Sequence, residues 1–264
     1  MRIRLVNERG CYFNCKSINP GETNSSYIME EIIDFLISDN LAAQCLREKF
    51  VFKIIPMINP DGVIAGNSKC SLAGIDLNHQ WQSPNADKSP EIFRMKKLIQ
   101  NTLNSRYIHI FCDIHGNSSN MNIFMNSYSI LTGPDKLQEW VFPLLYSQSE
   151  ETFNYNQCDF NFQNINNNSS ALIMTNEFDI QNSFILQCSF CGPTQGKYKN
   201  CHFNPNIFKR MARKLWISML EMNDNTNYAL YLYYSILENH ENEQALMDSS
   251  IEEENYNWRR DKRR

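Results

Sequence analysis

The sequence lacks the features that mark membrane-spanning, secreted and nucleic-acid-binding proteins. No run of about 18 apolar residues could cross a bilayer, and no basic start is followed by an apolar stretch and a small-residue cleavage site. The net charge of −4 and the pI near 5.8 supply no broad positive field toward nucleic acid or an anionic membrane. These absences predict a cytoplasmic protein with neither a nucleic-acid nor a membrane partner.

A disulfide framework is also missing from the pattern. The cysteines number nine, an odd count, and they are scattered along the chain, which favours reduced thiols in a cytosolic protein. The spacing of Cys188 and Cys191, with Cys201 and His202 downstream, leaves a structural zinc or redox site open. If Cys188 and Cys191 lie on one strand, their side chains point to opposite faces. We therefore interpret them as structural residues.

The apolar content is sufficient for one buried core. Hydrophobic residues make up 42% of 264, and their spacing alternates between helical and strand periods. The pattern predicts helices over 25–40, 90–100, 206–221 and 228–237, and strands over 50–55, 107–112 and 184–190. This alternation favours an α/β layered sheet.

Two stretches have little periodicity. Residues 150–182 are rich in Asn, Gln and Ser, which predicts long surface connections and no second core. Residues 241–264 are dominated by charge, with a glutamate run followed by a basic end, and we expect a solvated, disordered tail. The predicted organisation is one domain over 1–240 and a tail over 241–264.

Two short motifs contain residues that could bind a metal. The first is the turn Ser-Ile-Asn-Pro-Gly-Glu at 17–22, and the second is Asp-Ile-His-Gly-Asn at 113–117, directly after a buried apolar run. A zinc hydrolase needs three protein ligands and one open position, often two ligands on one turn and a third from a distant strand end. Each motif alone is weak evidence, because a lone histidine after a strand is more often a hydrogen-bonded structural residue.

The chain resembles the cytosolic carboxypeptidases, the tubulin deglutamylase group of zinc metallocarboxypeptidases. The segment Asn-Pro-Gly-Glu-Thr-Asn-Ser-Ser at 19–26 is similar to that family's His-Pro-Gly-Glu-Thr-Asn-Ser-Ser block. Further matching blocks follow in family order at 52–64, 70–72, 76–81, 112–116, 190–192 and 195–196. The resemblance covers about 17–222 and is weaker over 150–182.

The resemblance implies a fold, a cofactor and a substrate class. The implied fold is a three-layer α/β/α carboxypeptidase domain with a mixed sheet, and the implied cofactor is zinc. The implied partners are acidic protein C-terminal tails such as those of tubulin. The family's separate N-terminal β-domain and its opening strands have no match, so we expect an N-terminally truncated sheet without its first strands.

The implied metal ligands are altered at one position. By the family pattern, zinc is held by the residues that stand here as Asn19, Glu22 and His115. Asparagine offers a neutral amide oxygen where zinc prefers imidazole or thiolate. We therefore expect weakened zinc binding, since even an outer-shell change typically lowers metal affinity about 10–100-fold.

The implied catalytic and substrate-binding residues are altered as well. Gln187 stands in place of the general-base glutamate, and an amide cannot accept the proton of the attacking water. Lys69 stands in place of an arginine that polarises the scissile carbonyl. Lysine keeps the positive charge of that arginine. Asn78 and His79 stand where the family has an Asn-Arg pair for the terminal carboxylate, so carboxylate binding should weaken and depend on pH.

These changes predict a catalytically inactive pseudoenzyme that binds glutamate-rich tails. The alternative is a weak zinc-dependent carboxypeptidase that removes C-terminal or side-chain glutamates, with a water-relayed proton path around Gln187. A chain with no retained role is a third possibility that the sequence does not separate from the first.

Overall fold

The computed structural model describes residues 10–16, 18–129, 137–160, 168–223 and 228–240. The strands are β1 (Gly10–Lys16), β2 (Phe50–Ile55), β3 (Ile108–Asn117), β4 (Ile123–Asn126) and β5 (Ser183–Ser189). The helices are α1 (Thr23–Ile37), α2 (Leu41–Lys49), α3 (Pro60–Ala65), α4 (Pro90–Leu103), α5 (Val141–Ser149), α6 (Ser170–Phe178), α7 (Pro205–Asn223) and α8 (residues 228–240).

The strands form one mixed sheet in the order β2-β1-β3-β5-β4. Strands β2, β1, β3 and β5 are mutually parallel, and β4 runs antiparallel to β5. The carboxyl ends of β1, β3 and β5 therefore meet at one edge of the sheet, which is where α/β proteins place their functional groups.

Helices cover both faces of the sheet and give it a three-layer α/β/α architecture. On one face, a large apolar cluster joins β3 to α1, α5, α7 and α8, with Ile28, Phe142 and Trp216 among its buried members. On the other face, Ile92 of α4 and Ile173 of α6 pack against the sheet in a second cluster. The predicted fold class is confirmed.

The boundaries of α1 and α4 follow from local sequence chemistry. Pro90 occupies the first turn of α4, where its missing N–H leaves no bond unmade. Helix α1 ends at Ile37, earlier than the predicted 25–40, because the Ser38 hydroxyl donates to the Phe35 carbonyl. Asn40 then caps a new helix by accepting from the Ala42 N–H at 2.9 Å.

The sequence pattern predicted some elements correctly and failed in one region. The strand over 50–55 is confirmed with its predicted bounds. The prediction of surface connections throughout 150–182 is wrong, because α6 is buried over Ser170–Thr175 and forms part of the layer beside α4. Part of that region, 161–167, and the predicted tail over 241–264 lie outside the described residues. The division at residue 240 stays a prediction.

Candidate active site

The turn between β1 and α1 is held against a neighbouring loop by backbone and amide hydrogen bonds. The Gly21 N–H donates to the Ser68 carbonyl at 3.0 Å. The Asn59 side chain donates to the Ile18 carbonyl at 3.3 Å, and its oxygen accepts from the Gly62 N–H at 3.0 Å. The turn is therefore fixed in place at the sheet edge before any ligand binds.

The three residues implied as metal ligands come together at this edge. Glu22 Oε1 accepts a hydrogen bond from Asn19 Nδ2 at 2.6 Å. Glu22 Oε2 accepts from the Gly116 N–H at 2.9 Å and lies 3.2 Å from His115 Nδ1. Because β3 runs beside β1, the end of β3 delivers the histidine to the turn that carries the carboxylate.

A second carboxylate lies behind the histidine. His115 Nε2 is 3.0 Å from Asp113 Oδ2, and the Ser170 hydroxyl donates to the same oxygen at 2.8 Å. Asp113 and Ser170 are fully buried. Burial opposes protonation of the imidazole, but Asp113 and then Glu22 outweigh it and raise the pKa of His115 well above its usual value.

The sequence analysis did not identify Asp113 or Ser170 as part of the site. Asp113 stood inside a quoted motif, two residues before the histidine, which is a spacing that places both side chains on the same face of a strand. Ser170 lies on α6, which the sequence analysis interpreted as surface connection. No local signal links Ser170 to a residue 57 positions away.

The donor set fits a three-ligand zinc site at two positions and fails at the third. His115 Nδ1 and the Glu22 carboxylate face each other, as two ligands of one ion would. Asn19 turns its NH2 group, a hydrogen-bond donor, toward Glu22. Among the described residues, no group of three His, Cys, Asp or Glu side chains is arranged to hold a metal ion.

Gln187 lies next to the histidine. In the β3–β5 register it is the partner of His115, and it is the half-exposed residue of an otherwise buried strand. Its Oε1 accepts a hydrogen bond from Asn117 Nδ2 at 3.2 Å. The side chain therefore faces the same edge as Glu22 and His115, with its oxygen engaged by a second amide.

The start of α1 is bound to the end of β5. Asn24 Nδ2 donates to the carbonyls of Cys188 and Ser189 at 2.6 and 3.3 Å. Gly116 lies between these elements, where an added Cβ would come within 2.7 Å of both Asn24 Oδ1 and the Phe190 ring. Only glycine fits at 116 without displacing the neighbouring side chains.

The remaining predicted residues form a charged rim. The Asp76 carboxylate lies 2.9 Å from Lys69 Nζ and 3.3 Å from His79 Nε2, and it caps the short 3-10 turn by accepting from the Asn78 N–H. The hydrogen bond and the charge of Asp76 raise the pKa of Lys69, with a smaller contribution from Glu22. The rim therefore lies within electrostatic range of the buried cluster.

The cysteine cluster does not form part of this site. Cys188 is buried in β5, whereas β5 ends at Ser189 and Cys191 is exposed beyond it. The assumption that both cysteines lie on one strand is therefore wrong. Their interpretation as structural residues stays a prediction.

Known proteins show the same family and fold. A family profile described as zinc carboxypeptidase matches residues 16–247. Cytosolic carboxypeptidase 3 of Bos taurus is 35% identical over 242 residues, covering 88% of this chain and 24% of the relative. Cytosolic carboxypeptidase 1 of Homo sapiens is 34% identical over 247 residues, covering 88% and 20%. The chain thus spans about a quarter or less of the length of these relatives.

Solved structures agree on the fold. A metallo-carboxypeptidase from Burkholderia cenocepacia superposes with a TM-score of 0.69 at 20% identity, covering 81% of this chain and 56% of that one. One from Pseudomonas aeruginosa superposes with a TM-score of 0.66 at 19% identity, covering 83% and 58%.

No described helix is long and apolar enough to cross a membrane. With the matched profile, the relatives and the α/β/α architecture taken together, this chain belongs to the zinc carboxypeptidase family and is similar to its cytosolic carboxypeptidases.

Proposed function

We propose that this chain is a cytoplasmic carboxypeptidase-like pseudoenzyme that binds glutamate-rich protein tails, such as those of tubulin, without hydrolysing them. The observation that carries the proposal is Gln187, an amide, beside His115 at the position implied for the general base. Its oxygen already accepts a hydrogen bond from Asn117. Membership of the zinc carboxypeptidase family implies hydrolytic chemistry. The altered residues are the reason why we expect this chain to have lost it.

The loss of the general base slows the attack of water on the peptide bond. Water that attacks a peptide carbonyl must release a proton, and a neutral amide does not take it at any ordinary pH. Absence of a positioned base lowers the rate by about 10²–10⁴-fold. This loss applies whatever occupies the space between Glu22 and His115.

The Asn19 amide weakens the metal site itself. Zinc at this position would need Asn19 to rotate its oxygen inward and to break the 2.6 Å hydrogen bond to Glu22. The amide oxygen gained is a poorer zinc ligand than imidazole. A metal ion at this position would therefore compete with an existing hydrogen bond and gain only a weak third ligand.

The rim supports binding of carboxylates. Lys69 keeps a positive charge near Glu22. Asn78 and His79 lie later in the chain, on the short 3-10 turn that Asp76 caps. Asp76 already engages both Lys69 and His79, so an incoming carboxylate competes with it. Binding should therefore be weak for one glutamate and stronger for a tail that carries many.

A second candidate function has its own supporting observation. Glu22 and His115 Nδ1 still face each other at 3.2 Å, which is a partial metal site. A weak zinc-dependent carboxypeptidase that removes C-terminal or side-chain glutamates would use these two ligands, with Lys69 as the cation beside the carbonyl.

One paired experiment distinguishes the two functions. The chain and its Asn19→His/Gln187→Glu variant are loaded with zinc, dialysed, and measured for bound metal and for glutamate released from a polyglutamate peptide. We expect little bound zinc and no release from the natural chain, and gain of both in the variant. Equal stoichiometric zinc and equal release from both proteins would contradict the proposal and favour the second function.

Binding is tested with a triglutamate peptide labelled at its N-terminus. We expect fluorescence anisotropy to report weak association that falls about fivefold or less in Lys69→Gln, because one exposed charge contributes about 0.2–1 kcal/mol. An exposed lysine at the opposite, amino end of β2, in Lys49→Gln, is the matched control. Equal affinity for a scrambled neutral peptide would overturn the binding function.

A further inference from the structure

A basic groove runs along the outer face of α7. It is open to solvent, has a volume of ≈ 370 Å³ and is lined by Asn206, Lys209, Arg210, Arg213, Lys214 and Ile217. These positions recur at three- and four-residue intervals, so they form one stripe of the helix, while Ile207, Met211 and Leu215 turn inward to the core. None of these lining residues is acidic.

The groove carries more positive charge than the neighbouring described residues neutralise. Arg210 is committed to α5, since its two terminal nitrogens donate to Glu150 and Glu151 at 2.5 and 2.8 Å. Lys209 and Arg213 share one buried carboxylate, Glu31 of α1. With Arg210 set aside, the groove presents surplus positive charge on a protein whose net charge is −4.

Individual cations in the groove have donors left for a ligand. Arg213 donates through Nε to Glu31 at 2.8 Å, and among the described residues it makes no hydrogen bond through its terminal nitrogens. Lys214 makes no ion pair with any described residue. The side chains of Lys209 and Arg213 are 51% and 57% exposed. An arginine fork and flexible lysines together bind carboxylates well.

The groove begins close to the candidate site. Tyr27, one turn into α1, stacks on Phe208 near the start of α7, with ring centroids 6.0 Å apart. Glu31 lies nine residues after Glu22, about 14 Å along the helix axis. An extended peptide, at about 3.3 Å per residue, spans that distance with four or five residues.

We infer that the α7 groove is a second contact surface for the acidic tail of a protein partner, which it holds while the end of the tail occupies the candidate site. The inference rests on the proposed function and adds a length requirement to it. We commit to an acidic peptide and not a nucleic acid, because the basic stripe is confined to residues 206–217 of one helix, whereas nucleic-acid binding needs a broad positive field.

The test compares two peptides with two sets of variants. Lys209→Gln/Lys214→Gln removes two positive charges, keeps Arg210 on its two glutamates and keeps Arg213 on the buried Glu31. Arg94→Gln/Lys97→Gln removes the same charge from exposed residues of α4, in the opposite layer, as the matched control. Each protein is titrated by anisotropy with labelled triglutamate and decaglutamate, and its fold is checked by circular dichroism and melting.

We expect the groove variant to lose about fivefold in decaglutamate affinity and to bind triglutamate unchanged, because each of the two charges contributes a factor of about 1.4 to 5. The control should change neither. An equal loss in the control, or no loss in the groove variant, overturns the inference. Tighter binding of a ten-nucleotide single strand than of decaglutamate overturns it as well.

The Lys69→Gln variant separates this inference from the proposed function. If it weakens binding of both peptides while the groove variant has no effect, the site binds tails and the groove does not. If only the groove variant weakens decaglutamate binding, the groove binds acidic peptide and the proposed site does not.

Discussion

In the buried half of the candidate site, the Glu22 and His115 side chains are 13% and 4% exposed, whereas Lys69 and His79 on the rim are 55% and 39% exposed. Both halves consist of acid–base pairs at similar distances. In the buried half, each partner has been removed from water and depends on its neighbours for compensation. On the rim, water and salt screen the same kind of contact, so its contribution to folding is small. Stability should therefore report on the first half and ligand affinity on the second.

The largest effect should come from Asp113. Asp113→Asn removes the charge that faces His115 and weakens the acceptor that Ser170 uses. We expect a loss of about 3 kcal/mol in the free energy of unfolding, because breaking a buried pair leaves the partner uncompensated. Urea denaturation measures this loss, with the exposed Asp87→Asn as control. A loss as small as that of the control would show that the two halves do not differ in the way described.

The next effect should come from Ser170. Ser170→Ala deletes a neutral donor to Asp113 at 2.8 Å and leaves the charged pair in place. We expect a loss of about 1 kcal/mol, and Ser83→Ala, on an exposed serine, should lose less than half as much. Combining Ser170→Ala with Asp113→Asn tests whether the two act as one network. A double-variant loss that equals the sum of the two single losses would argue against coupling.

The rim should show a smaller effect on stability. Lys69→Gln removes the cation that Asp76 holds, and we expect the free energy of unfolding to change by less than about 1 kcal/mol. The same variant should weaken triglutamate binding, so its two readouts move independently. A stability loss as large as that of Asp113→Asn would remove the distinction between the halves.

The smallest effect should arise outside both halves, at His109. Burial lowers the pKa of His109, with an opposing contribution from the Asn223 side chain. The fold thus favours the neutral ring, and the stability this provides is present above the unfolded pKa of about 6.5 and is lost as pH falls toward the lower folded pKa. His109→Gln should therefore show less acid sensitivity between about pH 7.5 and pH 5.5. Melting temperatures at both pH values measure it, and the exposed His202→Gln should retain the full sensitivity.

Regular hydrophobic periodicity allowed many helices and strands to be predicted. Contacts between residues far apart in the sequence could not be predicted in this way. The strand over 50–55 and the proline start of α4 are signalled by neighbouring residues alone. Helix α6 was missed because its short apolar run follows an Asn-rich stretch that dominated the local composition. Contacts between α6 and β3 depend on how the layers pack, which no local pattern specifies.

The candidate site divides in the same way. The turn at 19–22 and His115 belong to quoted motifs, so both were named before the fold was known. The hydrogen bonds of Glu22 to Gly116 and of Gln187 to Asn117 join residues 94 and 70 positions apart, and only the sheet register brings them together. The roles of Gln187, Asn78 and His79 rest on the resemblance and stay predictions.

The two hydrogen bonds from Asn24 to the end of β5 have a consequence for engineering. They tie the first turn of α1 to the strand that carries Gln187, so the fold itself holds the backbone around the site in place. We expect new side chains at 19 and 187 to be accepted with little movement of the main chain. A laboratory that wished to rebuild a hydrolase from this scaffold would begin with a braced backbone and would need to supply a ligand at 19, a base at 187 and an arginine at 79.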